Sequence, residues 1–275
     1  MLRRNPVSAL SLRVSADEEE SKLTNSRLFA GGACLLDVTR SGSTRCVLET
    51  ASPPASYRIG RVLGQCTILK EDQFPGIEDR RVAQVIEGAP NFRGVPELPV
   101  YGVGMPTIAG IRNVLSSIGS GLDSVERATT LWFNWREEPL VYINGRPFVL
   151  REENRPFKNL KEYSNIDRIQ LEKMESRLKQ DVLQEAAERK GWIVVALETP
   201  QPSEEYGILD DGWEKIDGVC SVQTPADVYD SLREEGFAVE YHRIPLTDGR
   251  TPDARLHLTT HRTSFQYRCA VGAGY

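Results

Sequence analysis

The hydrophobic and polar positions along the chain form two kinds of pattern, one typical of strands and the other typical of helices. Short apolar runs predict buried strands at 131–135 and 193–197, and a third strand is predicted at 237–244. Between these runs, apolar residues recur every three or four positions, which predicts helices with one buried face. Strands that alternate with helices predict a layered α/β fold with a largely parallel sheet.

Capping residues mark the ends of two predicted helices. Thr107 can accept a hydrogen bond at the start of the first helix, and Gly119 can end it in the left-handed conformation. Before the last predicted helix, Thr224 is the cap, Pro225 takes the first helical position and Asp227 favours the positive end of the dipole. Each helix therefore has a defined start in the sequence.

The longest helix is predicted from about Asp167 to Lys190, and Gly191 closes it. Its apolar stripe consists of Leu171, Met174, Leu178, Val182 and Ala186. Its solvated side is expected to consist of Glu172, Lys173, Glu175 and Arg177. This stripe indicates packing against a core and not a cofactor site. The polar stretch from Thr199 to Asp211, which contains two prolines, is expected to be a loop.

A charged segment, residues 136–138, separates the strand at 131–135 from a predicted hairpin. Residues 141–143 and 148–150 flank Asn144-Gly145, a pair that favours a type I′ turn because both of its residues accept positive φ. Loops held by a rigid strand often carry functional groups. The charged segment is therefore either functional or simply solvated, and spacing alone leaves both interpretations open.

Composition narrows the class of protein. The formal net charge of -5 argues against a general nucleic-acid binder, although it does not exclude a local basic pocket for a phosphorylated small molecule. The sequence has no apolar run of about 18 residues, so no transmembrane helix is predicted. The five cysteines are scattered without a C-x-x-C pair, which suits a reducing compartment such as the cytoplasm.

The first 60 residues differ from the rest. Met1 to Ala16 contains three arginines and no acid, and Asp17 to Glu20 is a block of four acids. An acid-free start of this kind is typical of an organelle transit peptide and equally typical of a disordered tail. We therefore expect residues 1–60 to be an N-terminal segment without a fold and residues 61–275 to be one domain.

Four motifs resemble those of a known family. Residues 131–151 read LWFNWREEPLVYINGRPFVLR, residues 68–76 match ILKxDxFPG, residues 87–93 read EGAPNFR and residues 245–252 match PLTDxxxP. Together they resemble the repeated domain of the paladin family, whose relatives include the protein-tyrosine-phosphatase-like phytases that dephosphorylate inositol phosphates. The resemblance covers about Arg61 to Pro252 and is specific along that length.

The resemblance implies a cysteine-dependent phosphatase fold, with a layered α/β sheet and helices on both faces. In such enzymes a thiolate attacks phosphorus, backbone N–H groups bind the phosphate, and an aspartic acid protonates the leaving alcohol. By resemblance, Cys269 is the nucleophile and Asp248 is the acid, while the backbone around Gly272 and Gly274 is the phosphate cradle. The implied substrates are inositol phosphates, phosphoinositide headgroups or phosphotyrosine, with no metal or cofactor.

Basic residues in the matching motifs are further candidates. Arg136 is a candidate phosphate-binding residue, and Arg93 and Lys70 could line the same pocket. The sequence also allows plainer interpretations. Arg93 could form a surface salt bridge, and Asp248 could be a turn residue that caps its own backbone.

The end of the sequence departs from the family pattern. The nucleophile segment of the family reads approximately F-x-C-x-x-G-x-G-R-T, and here Tyr275 stands where the arginine belongs. The domain is therefore expected to be C-terminally truncated. Two hypotheses follow: a phosphatase with little activity as it stands, or a catalytically inactive or truncated pseudophosphatase that serves as a binding or scaffold module.

Overall fold

The computed structural model describes residues 58–72, 85–124, 128–160, 166–199 and 207–247, together with strand residues 37–38, 44–45 and 268–272. The chain divides into two compact units, residues 1–51 and 52–275. In the first unit, β1 (Asp37–Val38) and β2 (Thr44–Arg45) form a short antiparallel pair. The expected boundary at residue 60 and the unfolded state of the segment before it remain predictions.

A six-stranded mixed sheet forms one part of the second unit. Its strands are β3 (Thr67–Glu71), β7 (Leu140–Ile143), β8 (Arg146–Glu152), β9 (Trp192–Thr199), β10 (Ile208–Lys215) and β11 (Val222–Gln223). They lie in the order β10-β9-β3-β8-β7-β11, and all neighbours are antiparallel except β3 and β9. Between β7 and β8, Asn144 and Gly145 have φ values of 50° and 81°, which confirms the predicted hairpin.

A five-stranded sheet forms the other part. Its strands are β4 (Arg93–Gly94), β5 (Val100–Val103), β6 (Thr130–Asn134), β12 (Val239–Arg243) and β13 (Arg268–Gly272). They lie in the order β12-β6-β13-β5-β4, and all neighbours are parallel except β4 and β5. The predicted parallel sheet is therefore confirmed here. The six-stranded sheet differs because tight turns such as that at residues 144–145 reverse the chain directly.

Three helices of the second unit are α1 (Ile108–Ser117), α2 (Arg168–Glu188) and α3 (Pro225–Glu235). Thr107 Oγ1 accepts a hydrogen bond from the backbone N–H of Gly110 at 3.0 Å, and Gly119 has a φ of 79°. Thr224 and Asp227 form a reciprocal capping box at the start of α3. The predicted starts of α1 and α3 are confirmed.

Two apolar clusters hold the helices against the sheets. The first joins α1 and α3 to the five-stranded sheet, and the second joins α2 to the six-stranded sheet. Strand β7 belongs to both: Leu140 and Tyr142 lie in the first cluster, whereas Val141 and Ile143 lie in the second. Successive side chains of a strand point to opposite faces. Helices therefore pack on both faces of β7, and the predicted α/β layers with helices on both faces are confirmed.

Two expectations about the long helix and the loop after it were wrong. Glu175 is only 2% exposed and lies on the packed side of α2, not on its solvated side. The segment expected to be a loop includes the start of β10, which pairs with β9 from Ile208 onward. Backbone pairing with the neighbouring strand outweighed the polar sequence of that segment.

Candidate active site at the carboxyl edge of the parallel sheet

The carboxyl ends of four parallel strands lie level with one another. Gly272 of β13 is in register with Val103 of β5 on one side and with Asn134 of β6 on the other. Asn134 is also in register with Arg243 of β12. Ligands of α/β sheets usually bind outside the carboxyl ends of the strands. The segments that follow these four strands therefore define the candidate site.

Backbone hydrogen bonds bring two of these segments together. The N–H of Ile244 donates to the carbonyl of Asn134 and the N–H of Leu246 donates to the carbonyl of Trp135, both at 2.9 Å. The chain after β12 thus runs beside the chain after β6. Asp248, which follows Leu246 by two positions, lies outside the described residues, so its role as the acid remains a prediction.

The charged segment at residues 136–138 is buried, with exposures of 5%, 4% and 1%. The interpretation of this segment as a solvated loop was therefore wrong. The Arg136 guanidinium forms ion pairs with Asp72 at 3.0 Å and with Glu138 at 3.2 Å. Glu138 also pairs with Arg151. The role of Arg136 in phosphate binding remains a prediction, and in this structure its side chain joins a buried network.

Glu138 keeps its negative charge because of its two arginine partners. Burial favours the neutral carboxyl, but the charges of Arg136 and Arg151 outweigh it and hold the pKa of Glu138 below its ordinary value. Glu138 is therefore ionised at neutral pH.

A second ion pair lies next to the first. Arg243, the last residue of β12, and Glu175 of α2 are each 2% exposed, and the Arg243 Nη2 atom lies 2.9 Å from the Glu175 Oε1 atom. Burial raises the pKa of Glu175 to about 7, against the opposing effect of Arg243. Burial likewise raises the pKa of neighbouring Tyr241 to about 12, so this tyrosine is neutral at physiological pH.

Sequence reasoning missed this second pair, although one signal for Glu175 was present. Glu175 is four positions after Leu171 and three before Leu178, a spacing that puts all three on one helical face. A carboxylate on an apolar stripe indicates a buried partner. The partner, Arg243, carried no comparable signal because the partly polar strand 239–243 does not show which of its side chains are buried.

The proposed nucleophile lies within β13. Cys269 is in register with Leu131 of β6 and with Val100 of β5, three positions before Gly272 at the carboxyl end. Gly274 and Tyr275 lie outside the described residues. The assignments of Cys269, Gly272 and Gly274 to catalysis and phosphate binding remain predictions.

The other basic candidates have partners of their own. Lys70 is buried, forms an ion pair with Glu198 and lies over the ring of Phe157, with 5.6 Å to the ring centroid. Arg93 is exposed and donates to the backbone carbonyl of Asn91 at 3.0 Å. A basic pocket shared by Lys70, Arg93 and Arg136 remains a prediction.

Comparison with known proteins identifies relatives of the chain. The sequence model of the PTP-like phytase family, described by the words inositol hexakisphosphate, matches residues 133–257. Paladin from Gallus gallus is 26% identical over 204 residues, which cover 67% of this chain and 20% of that protein. Paladin from Danio rerio is 25% identical over 192 residues, which cover 70% of this chain and 19% of that protein.

A solved structure shows the same fold. It is the PTP-like myo-inositol phosphatase from Mitsuokella multacida in complex with myo-inositol-(1,3,4,5)-tetrakisphosphate. The TM-score is 0.50 at 15% identity, and the match covers 76% of this chain and 33% of that one. In sequence the chain is similar to the paladins, and over residues 133–257 it matches the PTP-like phytase family.

These similarities indicate that the chain contains a phosphatase-like domain. It spans about a fifth of the length of the paladins that it matches and about a third of the phytase chain. Within its described residues, the longest helices are too short or too polar to cross a membrane. The family motif REEP corresponds here to the buried residues 136–139, which lie at the carboxyl edge of the parallel sheet.

Proposed function

We propose that the chain is a cysteine-dependent phosphatase domain that hydrolyses phosphate monoesters of inositol phosphates, phosphoinositide headgroups or phosphotyrosine. One observation carries the proposal: β13, the strand that contains Cys269, is central in the parallel sheet and ends level with the strands on both sides. The carboxyl end of β13 thereby lies beside the carboxyl end of β6. In a layered α/β fold this is the ligand edge.

In the proposed reaction, the Cys269 thiolate forms a bond to phosphorus while the bond from phosphorus to the alcohol oxygen breaks. Asp248 gives its proton to that oxygen. Water then attacks the phosphocysteine, Asp248 takes a proton from the water, and inorganic phosphate leaves with the thiolate restored. Backbone N–H groups around Gly272 and Gly274 bind the phosphate oxygens. These steps require no metal.

The choice of substrate class rests on the relatives. The phytase of Mitsuokella multacida was solved with an inositol tetrakisphosphate, and the matching family model names inositol hexakisphosphate. Inositol phosphates are therefore the first substrates to test. Phosphoinositides and phosphotyrosine present the same monoester chemistry and serve as comparisons.

Tyr275 at the position of the family arginine lowers the expected rate. An arginine at that position would donate two parallel hydrogen bonds to phosphate oxygens, which a tyrosine cannot do. Loss of such a contact in a dry site costs several kcal/mol in the transition state, on the order of 10³-fold in rate or more. We therefore expect little activity from the chain as it stands.

A second function, a pseudophosphatase that binds phosphorylated ligands or acts as a scaffold, is favoured by one specific observation. Cys269 is in register with Leu131 and Val100, inside the sheet, whereas a nucleophile that attacks a bound phosphate belongs in the loop at the strand end. Together with Tyr275, this register supports a domain that binds without hydrolysis.

Phosphate release and binding distinguish the two functions. Four proteins are assayed for phosphate release from inositol hexakisphosphate: the chain, Cys269→Ser, Tyr275→Arg followed by a family-like continuation (the restored protein), and the restored protein with Cys269→Ser. The phosphatase proposal expects release about 10³-fold faster from the restored protein than from the chain, and loss of release when Cys269→Ser is added to it. Calorimetric binding without release from the restored protein would support the pseudophosphatase. Rapid release from the unaltered chain, abolished by Cys269→Ser, would refute the need for the arginine.

A further inference from the structure

Arg243 is a buried guanidinium whose partners come from three parts of the fold. Its Nε donates to the carbonyl of Arg136 at 2.9 Å, and its Nη2 donates to the carbonyl of Glu138 at 3.0 Å. Its Nη2 also pairs with Glu175, and its Nη1 donates to the hydroxyl of Tyr241 at 3.3 Å. Every nitrogen of the side chain therefore has a partner.

Glu175 extends these contacts to helix α2. Its Oε1 atom, besides the contact with Arg243, accepts a hydrogen bond from the backbone N–H of Leu140 at 3.4 Å. One carboxylate of α2 thus contacts the first residue of β7 and the last residue of β12. The helix is connected to the start of one strand and to the end of another.

The side chain of Arg243 connects the segment after β6 to the end of β12, and backbone hydrogen bonds connect the same two segments. Backbone bonds hold Ile244 and Leu246 beside Asn134 and Trp135. The side chain of Arg243 holds the following residues through the carbonyls of residues 136 and 138. The end of β6 and the loop after it are therefore attached to the chain around the end of β12 through four carbonyls, those of residues 134, 135, 136 and 138.

Stability alone does not explain a charged residue at this position. Well-packed apolar residues that replace a buried ion pair are often neutral or stabilising. The planar guanidinium can donate to two carbonyls and a carboxylate at once, in a fixed geometry that lysine cannot reproduce. The arrangement is suited to fixing a distance between two loops.

We infer that Arg243, held by Glu175, is a positioning residue that fixes the loop after β6 against the loop after β12. The inference rests on the proposed function in one respect, namely that the second loop leads to the acid Asp248. Arg243 itself touches no reacting atom. It acts on catalysis through residues 244–247, the described part of the loop that leads to Asp248 in the sequence.

Amide hydrogen exchange of the full chain tests the positioning role without any need for activity. The variants are Arg243→Leu, Arg243→Lys and Glu175→Gln, and the control is Arg112→Leu, which removes the exposed ion pair with Glu235. We expect the amides of Ile244 and Leu246 to exchange at least about tenfold faster in Arg243→Leu and to a smaller extent in the other two variants. The amides of β9 should stay within about twofold of the original chain.

The relation between local and global exchange decides the outcome. If the β9 amides accelerate in the same ratio as those of Ile244 and Leu246, Arg243 supports only overall stability and the inference is overturned. Unchanged exchange at both sites overturns it as well. If Arg243→Leu does not fold, Arg243→Lys and Glu175→Gln give the same comparison.

Phosphate release separates this inference from the proposed function. In the restored protein with Tyr275→Arg, we expect Arg243→Leu to lower kcat while KM stays within about twofold, since the substrate contacts are intact. A rise in KM with an unchanged kcat would contradict an effect of Arg243 on the acid. Absence of release from every restored protein counts against the proposed function only, because the exchange experiment still decides the positioning role.

Discussion

At the scale of single residues, the unusual feature of this chain is a group of charges in its interior. Arg136, Glu138 and Arg243 are each at most 5% exposed, and all three lie at or beside the carboxyl edge of the parallel sheet. A buried charge is costly unless it is paired and hydrogen-bonded. The described partners meet this condition by ion pairs and backbone carbonyls, so the charges hold loops in place.

The buried carboxyl group of Glu175 should make the free energy of unfolding depend on pH. Its pKa is about 7 in the folded chain and about 4.5 when exposed to water, so between these values the folded state binds more protons than the unfolded state. The contribution of Glu175 to the free energy of unfolding therefore falls as the pH rises from about 4.5 to about 7. Glu175→Gln removes this dependence. We expect the variant to gain about 2 kcal/mol relative to the original chain between pH 5 and pH 8.

Urea unfolding at several pH values measures this difference. The test is the slope of the difference with pH, because the loss of the Arg243 partner affects the variant at every pH. Glu188→Gln, at an exposed position of the same helix, is the matched control for the loss of a carboxylate from this helix. Parallel curves for the original chain and Glu175→Gln would show that Glu175 stays ionised through its pair with Arg243.

The sequence predicted these residues only in part. The REEP motif located Arg136 and Glu138, because a charged run directly after an apolar strand is visible in the pattern. Their burial was not predictable, since it depends on partners from other parts of the sequence. Asp72 is 64 positions from its partner Arg136, and Arg151 is 13 positions from its partner Glu138. Long-range ion pairs leave no periodic signal in one sequence.

At the scale of elements, local sequence was sufficient wherever the structure depends on local geometry. The caps of α1 and α3 and the turn at Asn144-Gly145 were predicted correctly, because these features involve residues at most four positions apart. Strand β10 was missed because its sequence, ILDDGWEK, lacks an apolar alternation. Its pairing with β9 supplies the structure that its own residues do not specify.

A substitution in the turn between β7 and β8 tests the effect of backbone strain without a change in side-chain packing. A Cβ atom added at Gly145 would have no neighbour within 4 Å, but the φ of 81° disfavours any side chain. We expect Gly145→Ala to lower the free energy of unfolding by about 1–2 kcal/mol. Gly218→Ala is the control: the added Cβ also has no neighbour, but the φ of 176° is extended backbone.

Urea denaturation of the two alanine variants decides the point. Gly218→Ala should lie within about 0.5 kcal/mol of the original chain, as is usual for surface substitutions. Equal losses in both variants would mean that the left-handed conformation of residue 145 is not the cause, because residue 218 does not share it. If both variants are as stable as the original chain, the turn at residues 144–145 relaxes to another turn type in Gly145→Ala.

At the scale of the whole domain, residues 52–275, the alternation of strands and helices predicted the α/β layers but not the division into two sheets. One sheet is largely parallel and the other largely antiparallel, since hairpin connections interrupt the alternation. Among the described residues, the sheets are connected in more than one way. Strand β7 of the six-stranded sheet contributes to both apolar clusters, and Glu175 of α2 pairs with Arg243 of the five-stranded sheet.

These links predict that the two sheets unfold together. Leu178 lies in the cluster of the six-stranded sheet and Leu115 in that of the five-stranded sheet, and both are fully buried. We expect Leu178→Ala and Leu115→Ala each to lower the free energy of unfolding by about 2–5 kcal/mol. In either variant, far-ultraviolet circular dichroism and tryptophan fluorescence should follow one coincident urea transition.

The position of Trp132 makes this comparison informative. Trp132 lies in the cluster of the five-stranded sheet, whereas Trp192 and Trp213 belong to the six-stranded sheet. In a background with Trp192→Phe and Trp213→Phe, fluorescence reports mainly the five-stranded side, and Leu178→Ala changes only the other side. If the sheets are coupled, the fluorescence midpoint shifts with Leu178→Ala as far as the circular dichroism midpoint. A fluorescence midpoint that stays in place would mean that the two sheets unfold independently despite sharing β7.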